Sequence, residues 1–92
     1  MKIDIKESII KKCVNEISNL IKMQIEKGIQ VFQAIDNALQ EFELEDEIMI
    51  KYEVEMVKRG NTKNLDIKPA QIDKLKDEII KLVYNKYLNK TD

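Results

Sequence analysis

The stretch 41–57, EFELEDEIMIKYEVEMV, constrains this chain more than any other. From Ile48 it alternates. Ile48, Ile50, Tyr52, Val54 and Met56 fall on one side, and Glu47, Met49, Lys51, Glu53 and Glu55 on the other. Successive side chains of a strand point to opposite faces, so the spacing predicts a half-buried strand over 48–57 with an acidic outer face. Its β-branched and aromatic residues point the same way. The acids also concentrate here: residues 29–57 hold one lysine against eight acids, a charge of −7, between +2 over 1–28 and +4 over 58–92. A dipolar distribution of this kind bears on partners rather than on fold.

The flanks read as helices. Ile9, Ile10, Cys13, Val14, Ile17, Leu20, Ile21 and Ile25 recur at three and four, which predicts a helix over 5–27 that stops at Lys27-Gly28. Val31, Phe32, Ile35, Ala38, Leu39 and Phe42 predict a second over 29–42, joined to the first in a tight αα-hairpin. Pro69 opens a third over 69–89, with Ile72, Leu75, Ile79, Ile80, Leu82, Val83, Tyr87 and Leu88 as its apolar side and a frayed tail at 89–92. Between the strand and this helix, a two-residue loop at Arg59-Gly60 pairs Val54 with Leu65 and Tyr52 with Ile67, giving a partner strand over 62–67. Residues 40–44 read either as the end of the second helix or as a weaker strand before a Glu45-Asp46-Glu47 loop.

The expected fold is therefore α+β in one small domain, 1–92: an αα-hairpin, a short antiparallel β-hairpin and a long C-terminal helix. The alternative is an all-α four-helix bundle with 46–59 as its third helix, since Leu44, Ile48, Tyr52 and Met56 also fit an i, i+4 line. A brief alternation over 2–5 adds a first strand, and the order β-α-α-β-β-α then resembles that of the small K-homology RNA-binding fold. That family places a GxxG loop between its first two helices. This chain has Gly28-Ile29-Gln30-Val31 there, without the second glycine or a following base, so the likeness is one of topology and no site residue is carried over.

The chain has no histidine, which removes the commonest general base and the usual metal ligand. It has no phosphate-binding loop, dinucleotide fingerprint or CxxC, so neither catalysis nor a cofactor is expected. Cys13 lies on an apolar stripe and reads as a small buried hydrophobe. The acids around 41–47 lack the ladder, central glycine and closing glutamate of a calcium loop. In the ordinary case such a cluster is a solvated turn that protects a strand edge. Its functional reading is a docking surface of Glu43, Glu45, Asp46, Glu47, Glu53 and Glu55 for a protein partner with a basic surface. Met49 and Val57, apolar on the outer face, make a homodimer a further reading. The competing class is a nucleic-acid-binding regulator using Arg59, Lys63, Lys74 and Lys81, against which stand the interleaved acids Asp73, Asp77 and Glu78 and the near absence of arginine. No membrane-length apolar run, no apolar signal core in MKIDIKES and a single cysteine suggest the cytoplasm. The function expected is a non-catalytic interaction module, of the kind that mobile elements, phage among them, encode as inhibitors or regulators.

Overall fold

Ile9, Cys13, Ile17 and Ile21 recur every fourth residue, and a helix stacks them into one fully buried line. The computed structural model describes residues 4–63 and 65–88, and places that line on α1 (Ile5–Glu26), followed by α2 (Val31–Phe42), α3 (Leu44–Lys58) and α4 (Pro69–Leu88). Among the described residues there is no strand. The α+β expectation is overturned and the four-helix alternative fits. With it fall the strand over 48–57, its partner over 62–67, the weaker strand at 40–44 and the K-homology order. Residues 1–3 of the expected first strand and the tail at 89–92 lie outside the described residues, while Ile5 already belongs to α1.

α1 packs against all three other helices. Its buried line meets Ala34, Ile35, Ala38 and Phe42 of α2, Leu44 and Ile48 of α3, and Ile72, Leu75, Ile79 and Val83 of α4 in one cluster. Polar side chains tie the same joints. Asn37 Nδ2 donates to Gln24 Oε1 across α1 and α2 at 3.2 Å. Tyr84 donates to Asp36 from α4 to α2 at 3.2 Å, and burial together with that bond raises the phenol's pKa. Tyr87 donates to the Ser18 carbonyl at 3.4 Å.

Two glycines end helices. After α1, Gly28 takes φ 90°, its N–H donates to Ile25 O, and Ile29 N–H reaches back to Gln24 O. After α3, Gly60 takes φ 85°, with Gly60 N–H on Val57 O and Asn61 N–H on Met56 O. Both are the left-handed cap in which the residues after the helix satisfy its last carbonyls. The Arg59-Gly60 signal therefore closes a helix and does not turn a hairpin. The corner between α2 and α3 is tighter still: Glu43 alone separates them, at φ 52°. α3 then follows the helix macrodipole, with Glu45, Asp46 and Glu47 in its first turn and Lys58 in its last.

Candidate docking face on helix α3

A helical period sends the residues of 44–58 to places that strand alternation does not. Leu44, Ile48 and Glu55 turn inward and are buried. Ile50, Val54 and Val57, spaced by four and three, turn outward and are 53%, 45% and 49% exposed, with Met49 beside them at 42%. Met49 and Ile50 also line a groove of about 390 Å³ with Glu53, Leu65, Asp66, Ile67, Pro69 and Ile72. α3 and the connector to α4 thus form one apolar surface.

The six acids expected to form one patch are divided by this geometry. Glu43 is exposed at the α2–α3 corner. Glu45 and Asp46 are exposed on the first turn of α3, with Glu45 3.8 Å from Lys76 of α4. Glu53 is exposed in the middle of the apolar face. Glu47 turns toward Lys51, whose ammonium lies 2.8 Å from it and 3.2 Å from Glu16. The Lys51 side chain is only 12% exposed and its ammonium stands 5.6 Å from the Phe42 ring centroid. Burial works against its charge, but the bonds to Glu47 and Glu16 outweigh that and raise its pKa.

Glu55 is not on the surface: the residue is 7% exposed. Its carboxylate accepts from Lys12 Nζ at 2.8 Å and Ser8 Oγ at 3.2 Å, both on α1, and lies 3.5 Å from Arg59 Nε. The Lys12 bond dominates the partial burial and holds its pKa below the usual carboxylate value. Glu55 is a tie between α1 and α3, and its place in a docking surface is withdrawn.

The basic residues of the competing reading do not gather. Arg59 is engaged with Glu55, Lys63 lies in the connector, and Lys74 and Lys81 are exposed two turns apart on α4. Cys13 is wholly buried, and burial pushes its thiol up to about 11. Among the described residues no group of three acids or cysteines is placed to hold a metal ion, no buried side-chain polar atom lacks a partner, and no helix is long and apolar enough to cross a membrane.

Exposed Ile50 and Val54 escaped the sequence reading, which placed them in the core. The signal was there in the i, i+4, i+7 spacing of Ile50, Val54 and Val57, which the alternation overlaid. The class defined by fold and face is a small four-helix bundle whose third helix carries an exposed apolar stripe flanked by acids. Comparison with protein families, with characterised proteins and with solved structures finds no significant match to this chain.

Proposed function

We propose that the chain is a non-catalytic protein-interaction module that docks a partner with a basic surface through the outer face of α3. The observation that carries this reading is the stripe Ile50, Val54 and Val57, which stays about half exposed while acids flank it. With Met49 and the connector residues it amounts to an apolar patch on the order of 300 Å², the scale at which surface patches are often functional. Glu53 and Asp66 line its groove, and Asp46 lies one turn before Ile50. Such a module acts by occupying its partner, as an inhibitor or regulator does, and a buried, unreactive lone thiol suits a reducing cytoplasm.

The test is differential capture from native cells on immobilised wild type, V54D and E53K, each first verified to melt as the wild type does. A partner retained by wild type and lost by both variants supports the reading. Retention by both variants places any docking surface elsewhere.

A further inference from the structure

Resting on that docking reading, we infer that the occupant of the α3 face is a single amphipathic helix with a basic flank. The dimensions fit. A docked helix presents anchors at i, i+3 or i+4, and i+7, a span of about 10 Å at 1.5 Å per residue. Ile50 to Val57 covers the same seven-residue span along α3, and the groove between Met49, Ile50, Leu65, Ile67 and Pro69 runs beside it.

The charges fit as well. Both charged residues that line the groove, Glu53 and Asp66, are acids. Asp46 adds a third at the N-terminal end. Lys51 is turned inward to Glu16 and Glu47 and takes no part. Lys58, at the C-terminal end of the face, and Lys68, in the connector, are basic exceptions. An occupant with lysine or arginine beside its apolar stripe therefore meets opposite charge along most of its length.

Two other occupants fit less well. A second copy packed symmetrically would bring the same surface against itself and set Glu53 near its own counterpart. An extended peptide adding as a strand needs a sheet edge, and none exists among the described residues.

The experiment uses the full chain and three 18-residue labelled peptides: a Leu/Lys amphipathic helix, the same composition interrupted by two prolines, and a Leu/Glu helix of the same pattern. Fluorescence anisotropy reads affinity, and Val57→benzoylphenylalanine reads contact by photo-crosslinking. The expected result is saturable one-to-one binding of the Leu/Lys helix, crosslinked at position 57. It should weaken at least tenfold for V54D, for E53K and for each of the other two peptides. Equal binding of the proline-interrupted peptide overturns the helical occupant and leaves the docking reading standing. A dimer in sedimentation velocity that V54D dissociates assigns the face to a second copy and overturns the proposal. Leu/Lys binding indifferent to both V54D and E53K overturns this inference and the docking reading together. If no peptide binds, the helical occupant falls, and differential capture alone decides the docking reading.

Discussion

Replacing Glu55 with glutamine keeps the shape of the joint between α1 and α3 and removes its charge. Three contacts change. The Lys12 pair is short, 2.8 Å, but the Lys12 side chain is 42% exposed, so solvent screens it and its contribution is about 0.5–1 kcal/mol. Ser8 still finds an oxygen acceptor in the amide, so weakening that charged bond costs on the order of 0.5 kcal/mol. Arg59, four residues on, adds a few tenths. E55Q should therefore lose about 1.5 kcal/mol, which for a domain of this size lowers Tm by about 10 °C. A double-mutant cycle with K12M should return a coupling of about 0.5–1 kcal/mol.

The pH dependence follows from the direction of the shift. Glu55 in the folded chain titrates below its ordinary value near 4.5, first because Lys12 donates to it. Its stabilisation is then fully present above about pH 4.5 and disappears as the pH falls through the folded value. Urea unfolding followed by circular dichroism at 222 nm, at pH 7, 5, 4 and 3.5, should show the wild-type advantage over E55Q shrink across the last two points. A difference under 0.5 kcal/mol at pH 7, flat with pH, is what an exposed carboxylate gives. That result would refute the inward placement of Glu55 and with it the helical register of α3.

Four further outcomes follow from single sites. E43G should stabilise the chain by about 0.5–1 kcal/mol in the same urea assay, because Glu43 holds φ 52° without a functional contact to explain it. Cys13, buried with its thiol raised to about 11, should resist a maleimide at pH 8 and react on the timescale of mixing once urea unfolds the chain. Lys51 has its pKa raised above 10.5, so its stabilisation is complete below that value and is lost as the pH rises past it; K51M should cost about 1–2 kcal/mol at pH 7 and converge on wild type in alkali. Lys74 and Lys81, interleaved with Asp73, Asp77 and Glu78 on α4, should give no retention on a heparin column near physiological salt. Retention that K74E/K81E abolishes would restore the nucleic-acid reading.

Three helices were legible because their stripes are one-sided. α1 buries Ile9, Cys13, Ile17 and Ile21 and keeps its lysines out of the core, and its bounds, Ile5–Glu26, sit within a residue of the expected 5–27. Pro69 and the Ile72, Leu75, Ile79 and Val83 series do the same for α4. α3 was illegible for a physical reason. Its inward face includes Lys51 and Glu55, whose charges are satisfied by partners far off in sequence, Glu16, Ser8 and Lys12. Its outward face carries Ile50, Val54 and Val57. With polar residues inside and apolar ones outside, the 3.6-residue period cancels and the two-residue period is what remains visible. Gly60 added to the confusion, since a positive φ serves a hairpin turn and a helix cap equally well. The acidic run 45–47 was legible as charge but not as a first helical turn, because nothing local distinguishes a loop from a dipole-matched helix start. For the candidate face, Glu45, Asp46 and Glu53 were readable from sequence and exposed Met49 and Val57 with them, while Glu55 and Glu47 were not separable from these without the register.

The inversion of α3 bears on whether its outer face is there for folding or for binding. Ile50, Val54 and Val57 keep about half of each side chain in contact with the chain, so making all three polar removes at most about 1 kcal/mol per site. Replacing β-branched residues with good helix formers returns a few tenths at each. The triple variant I50Q/V54K/V57Q should consequently unfold within about 2 kcal/mol of wild type, keep its helical circular dichroism and lose the captured partner completely. By contrast I48A, on the opposite side of the same helix and fully buried, should lose about 2–4 kcal/mol and keep binding wherever it remains folded. If the triple variant collapses instead, the outward apolar residues hold the bundle together, and the face has no need of a partner to account for it.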